Sequence, residues 1–294
     1  MKRDVLQKIL NTAPQIDVEY NSKIVFISDC HRGDGTWKDN LIANTNVYMG
    51  ALKYYYRNGF THIELGDGDE LWKVPKIEDI YEIYPQVFQL LLKFKEENRY
   101  CMIYGNHDEI KKKRKFQKHI DKFEFDNERE ILYKFFNDLP IYEGVILNYK
   151  PSGRRILAVH GHQFDFFNYR LRGVSQFLVR YFWSFMEQIF GFKDPTSPAK
   201  SSARREVLDI KIQRWCERNN QPLIAGHTHR PIMPKRKGSM YFNDGCCVHP
   251  YSISCIEIEK GKISLVKWRI STMESGILSV DRQILDGPIN ISAL

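Results

Sequence analysis

Cysteine is scarce in this sequence, and its six residues form no pairing pattern. None stands in a C-x-x-C arrangement, and the adjacent pair Cys246-Cys247 does not resemble the framework of a secreted disulfide protein. Long apolar runs are also missing. No window reaches the roughly 18 uncharged apolar residues of a membrane span, and the first eight residues lack the apolar core of a signal peptide. We therefore expect a soluble cytoplasmic protein, with peripheral contact at the inner membrane surface left open.

Internal repeats and low-complexity linkers are absent from the 294 residues as well. A single domain over 1–294 is therefore predicted, with a helical insertion, or lid, at about 163–219. The composition includes 44 basic and 36 acidic residues, which gives a formal net charge of +8. That excess favours anionic partners such as nucleotides, phospholipids or nucleic acid.

The first half of the chain alternates strand and helix patterns. Apolar runs predict strands over 23–28, 61–65 and 100–104, and helical periodicity predicts helices over 39–58 and 78–97 between them. A short helix over 3–10 precedes this series, and another near 127–138 follows it. This spacing is typical of βαβ units and predicts a parallel sheet.

The second half of the chain shows a different order of predicted elements. A hairpin is predicted from 141–149 and 155–159, then a helical segment over 163–219 whose first part is dense in aromatic residues. Strand character returns at 222–225 and in short runs between 239 and 270. The last twenty or so residues give no clear signal.

Polar residues with metal-binding side chains follow five of the predicted strands. They are Asp29, His31, Asp67, Asn106, His107, His160, His162, His227 and His229, which include six of the nine histidines. Imidazoles combined with carboxylate and amide oxygens can hold two divalent ions, with a carboxylate such as Asp67 between them. Two such ions clamp the oxygens of an in-line phosphoryl displacement. The pattern predicts hydrolysis of a phosphate ester or anhydride.

These residues lie in five blocks that resemble those of the calcineurin-like metallophosphoesterase family. The blocks read Asp29-Cys30-His31, Gly66-Asp67-Gly68-Asp69-Glu70, Gly105-Asn106-His107-Asp108, His160-Gly161-His162 and Gly226-His227-Thr228-His229. The resemblance implies an α/β fold, a four-layer αββα sandwich, and two divalent metal ions, with manganese preferred over iron, zinc or magnesium. The one departure is Glu70, where the family usually has Asp; we expect it to keep an acceptor role toward a ligand.

The resemblance also implies a role for each block residue. One metal would take Asp29, His31 and His229, the other Asn106, His160 and His227, and Asp67 would bridge them. His107 would stabilise the phosphoryl charge or protonate the leaving oxygen, with Asp108 orienting its imidazole. Two interpretations of His162 stay open. It could contact the second metal or the substrate, or it could have a structural role.

The sequence is further similar to the branch of this family that contains UDP-2,3-diacylglucosamine pyrophosphatase. That similarity rests on Leu71-Trp72, on the run from His160 to Asp165, and on Asn243-Asp244-Gly245. It implies a small phosphorylated or nucleotide-linked substrate that carries acyl chains. The aromatic insertion would then receive these chains or lie on a membrane surface, and the alternative is ordinary packing on the domain or on a second subunit.

Two basic groups are candidates for binding phosphate. Lys200, Arg204 and Arg205 fall at helical spacing in the insertion and could face a diphosphate or nucleotide. The run 111–115 is interpreted as a solvated face or as a phosphate-steering surface. Two other functions stay open: a nuclease of the same superfamily, and a non-catalytic binding scaffold of this fold, which would be expected to have lost ligands.

Overall fold

The computed structural model describes residues 5–37, 39–165, 202–235 and 240–294, except the side chains of Ser202 and Arg204. Its helices are α1 (Val5–Thr12), α2 (Thr45–Arg57), α3 (Ile77–Ile83), α4 (Pro85–Glu96), α5 (Arg114–Ile120), α6 (Glu130–Phe136) and α7 (Ser202–Asn219). Its strands are β1 (Gln15–Val18), β2 (Ile24–Ile27), β3 (Thr61–Leu65), β4 (Tyr100–Ile103), β5 (Ile141–Tyr142), β6 (Gly144–Tyr149), β7 (Arg154–Val159), β8 (Leu223–Ala225), β9 (Tyr241–Asn243), β10 (Ser252–Glu259), β11 (Lys262–Thr272) and β12 (Leu278–Asn290).

These strands form two sheets. The first has seven strands in the order β12-β11-β10-β2-β3-β4-β5, and the second has five in the order β1-β6-β7-β8-β9. Strands β2 to β5 are mutually parallel, which confirms the parallel pairing expected from the βαβ spacing. Strands β10, β11 and β12 extend that sheet in antiparallel fashion, so the sheet as a whole is mixed.

Strand β2 shows how the layers stack. All four of its residues are buried. Val25 and Ile27 pack into a core with the helices α2, α4 and α6, whereas Ile24 and Phe26 pack into the core between the two sheets. A strand covered on both faces is a continuous apolar run rather than an alternating one. A third core places α1 and α7 on the outer face of the five-stranded sheet. The resulting order, helix–sheet–sheet–helix, confirms the four-layer sandwich.

Several element boundaries differ from the sequence predictions. The helix expected over 78–97 is two helices, α3 and α4, because Pro85 cannot donate a hydrogen bond and begins the second one. Strand β5 was expected within the hairpin but pairs with β4 in the other sheet. Strands β1 and β12 were not predicted. Both lie at sheet edges, and β12 is largely exposed, so its sequence lacks a buried apolar face.

Part of the predicted insertion lies outside the described residues, namely 166–201, which holds most of its aromatic side chains and Lys200. Its C-terminal end is the helix α7, as expected from the periodicity. In the described part of the chain, no helix is long and apolar enough to cross a membrane.

Candidate metal centre

The turns after five strands bring the predicted ligands together. Strands β2, β3 and β4 are neighbours in one sheet, and β7 and β8 are parallel neighbours in the other. Backbone hydrogen bonds join the first two turns, from the Asp29 N–H to the Gly66 carbonyl and from the His31 N–H to the Asp67 carbonyl, both 3.0 Å. The sheet edges therefore hold the block residues at one place, as open α/β sheets hold ligands at the carboxyl ends of strands.

Five of the seven predicted metal ligands have left-handed backbone conformations. The φ angles are 49° at Asp29, 48° at His31, 51° at Asp67, 68° at His227 and 55° at His229. Residues other than glycine rarely adopt such angles, which cost of order 1–3 kcal/mol each and concentrate at functional sites. The surrounding turns thus hold strained backbone that aims these side chains inward.

Glycine at position 105 is required by the closeness of these turns. A Cβ atom there would collide with the carboxylate and the backbone nitrogen of Asp67. Gly66 has a φ of +93°, and a Cβ there would lie 2.7 Å from the His160 ring. The two glycines in the second and third blocks therefore let the ligand-bearing turns approach each other.

The first group of donors consists of Asp29, His31 and His229. Their ligand atoms all lie within 4.8 Å of one another, and the three residues are buried. Oδ1 of Asp29 is 2.9 Å from Nε2 of His229 and 3.7 Å from Nε2 of His31. Its other oxygen, Oδ2, accepts hydrogen bonds from the Ser28 hydroxyl and the His227 N–H, which leaves Oδ1 directed at the imidazoles.

The second group consists of Asp67, His160 and His227, again with ligand atoms within 4.8 Å of one another. Oδ2 of Asp67 is 3.2 Å from Nε2 of His160 and 3.9 Å from Nε2 of His31. Asp67 also forms a third such group with His31 and His107. It therefore lies between the two sets of histidines, where the resemblance requires a bridging carboxylate.

Several of these atoms are buried without a hydrogen bond among the described residues. They include Asn106 Oδ1 and His227 Nε2. By contrast, Asp29 Oδ1 and His160 Nε2 each lie close to another donor of the centre, His229 and Asp67 respectively. Burial of an unsatisfied polar atom costs about 1–3 kcal/mol, so the first two atoms call for a ligand. On the far side of the rings, His160 Nδ1 lies 2.9 Å from the Leu65 carbonyl and His31 Nδ1 lies 3.1 Å from Glu70. These contacts leave both Nε2 atoms for coordination, and the donor set fits two divalent cations.

The carboxylates of the centre are held ionised. Burial by itself raises the pKa of Asp29, but the His229 and His160 imidazoles outweigh it and hold that pKa well below its usual value. Burial is likewise outweighed at Asp67, where His160 and His107 lower the pKa. Both groups are thus available as anionic ligands.

His107 lies at the mouth of the centre, with 17% of its side chain exposed. Its ring stacks on Trp72 at a centroid distance of 4.2 Å, and its Nδ1 is 2.7 Å from Oε1 of Glu70. Glu70 contacts His31 with its other oxygen, which confirms the acceptor role expected for this residue. The orienting carboxylate of His107 is therefore Glu70. The expectation that Asp108 has this role is wrong.

Asp108 has a different set of partners. Its Oδ1 accepts a hydrogen bond from the Gly105 N–H at 2.7 Å, and its Oδ2 accepts from the Gly68 N–H at 3.1 Å and from Lys111 Nζ at 3.0 Å. Asp108 thus ties the turn after β3 to the turn after β4. It acts on His107 only through the shape of these turns.

Lys111 corrects the interpretation of the basic run. The side chain is buried, and its Nζ lies 2.6 Å from Oδ2 of Asp69, so it faces neither solvent nor substrate. It belongs to a buried network, called here the ion cluster, whose members are Arg32, Glu64, Asp69, Asp108 and Lys111. The other four residues of the run, 112–115, are exposed and stay candidates for steering.

The structure gives fewer contacts for the other predicted site residues. His162 is buried, with its ring 5.4 Å from that of His160 and 6.4 Å from that of His227. Arg205 is partly buried on α7, whereas Lys200 and the side chain of Arg204 lie outside the described residues. Their predicted contact with substrate stays a prediction. Sequence reasoning missed Arg32 and Glu64, although an Arg directly after the first block was a usable signal.

Comparison with known families decides the assignment. The model of the family described as calcineurin-like phosphoesterase matches residues 22–231. The chain belongs to this family. None of the curated proteins matches the sequence.

Solved structures of similar fold share little sequence with the chain. Vacuolar protein sorting 29 from Cryptosporidium parvum is 12% identical, with 90% of this chain and 98% of that one covered and a TM-score of 0.39. Vps29 from Chaetomium thermophilum is 10% identical, with 90% and 96% covered and a TM-score of 0.40. A Staphylococcus aureus protein designated a 5'-nucleotidase is 16% identical, with 92% and 55% covered and a TM-score of 0.32.

Proposed function

We propose that the protein is a dinuclear metal-dependent phosphoesterase that hydrolyses a phosphate ester or pyrophosphate bond. The observation that carries the proposal is the set of three donor groups, two of which share Asp67 and two of which share His31. Six of the seven predicted ligands lie in these donor groups. The Oδ1 atom of Asn106, the seventh, and Nε2 of His227 are buried without a hydrogen bond among the described residues. A scaffold that had lost its activity would not be expected to keep a complete ligand set.

When bound, two divalent ions supply an activated water and offset the negative charge of the phosphoryl oxygens. Asp29, His31 and His229 would hold one ion, Asn106, His160 and His227 would hold the other, and Asp67 would contribute to both. Manganese is the metal that we propose. Iron, zinc and magnesium are the competitors to test.

His107 is the proposed acid. With Nδ1–H donating to Glu70, Nε2 of the cationic ring is the atom that would give a proton to the leaving oxygen, which leaves the ring neutral. Stacking on Trp72 fixes the plane of the ring, and partial exposure leaves it within reach of a substrate at the mouth. A positioned acid of this kind typically contributes about 10²–10⁴-fold to the rate.

The proposed substrate is small, anionic and nucleotide-linked or lipid-linked, with UDP-2,3-diacylglucosamine as the specific candidate. The resemblance of the sequence to that branch and the net charge of +8 support this choice. An acylated substrate would bring the enzyme to the inner surface of a membrane. Activity on the acylated compound that exceeds activity on its deacylated analogue would support the proposal, and equal rates would remove the acyl-binding role.

The test of the reaction class is a substrate panel. The full-length protein, stripped of metal and reloaded with manganese, zinc, iron or magnesium, is assayed on p-nitrophenyl phosphate, bis-p-nitrophenyl phosphate, UDP-sugars and single-stranded DNA. We expect turnover of at least one small ester or anhydride, strongest with manganese. Turnover of DNA alone would favour a nuclease, and inactivity on every compound with bound metal would favour a scaffold.

A further inference from the structure

Helix α7 reaches the metal centre through one carboxylate. Asp209 is buried in the first half of this helix, with 7% of the residue exposed. Its Oδ1 accepts hydrogen bonds from the Thr228 hydroxyl and from the Tyr241 hydroxyl, both at 3.0 Å. Its Oδ2 pairs with Arg230 Nη1 at 3.2 Å. Three side chains from the region after β8 therefore meet on this one residue.

Two of the three partners belong to the turn that carries the last block. Thr228 stands between His227 and His229, and Arg230 follows directly. Both histidines have left-handed backbone, at φ 68° and 55°, so the turn between them is strained and needs support. A rotation of Thr228 would move both imidazoles, one from each donor group.

The opposite side of the turn is held by Asn243. Its Nδ2 donates to the Gly226 carbonyl at 2.7 Å and lies 3.2 Å from the Thr228 hydroxyl. The Thr228 side chain is fully buried, so its hydroxyl is fixed between this amide and Asp209. The turn is therefore held from two sides, by Asp209 on α7 and by Asn243 on β9.

We propose that Asp209 is a positioning residue for His227 and His229, and that through it α7 sets the metal affinity of the centre. The proposal rests on the proposed dimetal function. Asp209 touches neither a ligand atom nor the mouth of the site, so it acts through the Thr228 hydroxyl. Partners of this type, beyond the ligands themselves, typically change metal affinity or activity by about 10–100-fold.

The chain offers a matched control. Glu206 is an exposed carboxylate one turn earlier on α7, and both residues line the same cavity of about 700 Å³. Thr228 gives a second pair of variants. Thr228→Val removes the hydroxyl and keeps the shape, whereas Thr228→Ser keeps the hydroxyl and so restores the contact.

The test is titration of the metal-free full-length protein with manganese chloride by isothermal calorimetry, with thermal unfolding of the same metal-free samples. Asp209→Ala and Thr228→Val should raise the manganese Kd about 10–100-fold. Glu206→Ala and Thr228→Ser should stay within about twofold of the wild type, as surface and conservative changes do.

The outcomes separate the two proposals. If the wild type binds none of manganese, zinc, iron and magnesium, the proposed function fails. If the wild type binds manganese and Thr228→Val binds it equally well, the positioning role of Asp209 is overturned, even where Asp209→Ala lowers the unfolding temperature. That combination would mean that Asp209 only stabilises the packing of α7. If Asp209→Ala does not fold, Thr228→Val alone tests the positioning role.

Discussion

Two groups of buried charge lie side by side next to β3, and they differ in how their charges are balanced. In the ion cluster, Arg32 binds Glu64 and Asp69, with its Nε 2.6 Å from Asp69 Oδ1. Lys111 binds Asp69 and Asp108. In the metal centre, by contrast, Asn106 Oδ1 and His227 Nε2 are buried without a hydrogen bond in the part of the chain that the structure describes.

The difference distinguishes buried polar groups that stabilise the fold from buried polar groups that are available to bind a ligand. A buried charge that is retained for structure is normally paired, because an unpaired one is costly. The ion cluster follows that rule, and Asp69 belongs to it although it stands only two residues after Asp67. The metal centre departs from the rule, because its ligand atoms Asn106 Oδ1 and His227 Nε2 have no hydrogen bond among the described residues. Substitutions on either side should therefore have distinct effects.

The largest effect is expected for Asp67→Ala, which removes the carboxylate shared between the donor groups. We expect metal content to fall and activity to drop by more than the about 10²–10³-fold caused by loss of one charge-stabilising group. Inductively coupled plasma mass spectrometry and initial rates measure the two quantities. Asp17→Ala, at an exposed carboxylate on β1, is the control. Full metal occupancy in Asp67→Ala would contradict a bridging role.

His107→Ala should separate chemistry from metal binding. The side chain is partly exposed and is placed as an acid, so the rate should fall by about 10²–10⁴-fold while the metal stays bound. The same metal analysis and the dependence of rate on substrate concentration check both parts. Loss of metal from this variant would move His107 from the acid role into the ligand set.

The sequence predicts the metal centre better than it predicts the ion cluster. The block residues could be found because each follows an apolar strand and carries a metal-binding side chain. Lys111 could not be found in the same way, since a run of five basic residues is usually a solvated face. Only the packing shows that Lys111 is buried against Asp69 while the next residues are exposed.

The same limit applies to the fold. The parallel strands β2, β3 and β4 were predicted because they are short buried apolar runs between helices. Strand β12 carries exposed Leu278, Ile284 and Leu285 among polar residues. This pattern has neither the period of an amphipathic helix nor the alternation of a half-buried strand. The strand pairs with β11 as a hairpin across residues 273–277, and register shifts near Leu265 interrupt the pairing. The orienting partner of His107 was missed because Asp108 is its sequence neighbour, whereas Glu70 lies in another block and meets His107 only in the fold.

Arg32→Met should break the ion cluster, because Glu64 and Asp69 both lose their contact with Arg32 and only Lys111 remains as a nearby cation. Removal of one partner from a buried ion pair typically costs about 3–5 kcal/mol of unfolding free energy. Urea denaturation of the metal-free protein measures this. Arg129→Met is the matched control, because that ion pair with Asp126 is partly exposed and should contribute only about 0–1 kcal/mol. Equal losses in the two variants would mean that the ion cluster is not a structural unit.

The smallest effect is expected at Glu70, whose carboxylate contacts both His31 and His107 in the metal centre. Glu70→Gln removes the charge and keeps an acceptor, so activity should fall about 10–100-fold, less than for His107→Ala. A double-mutant cycle sharpens the test. In the His107→Ala background, Glu70→Gln loses only its contact with His31, so its cost there should be lower than in the wild type. An undiminished cost in that background would show that Glu70 acts on the metal ligand His31 alone, and that His107 is held by Trp72.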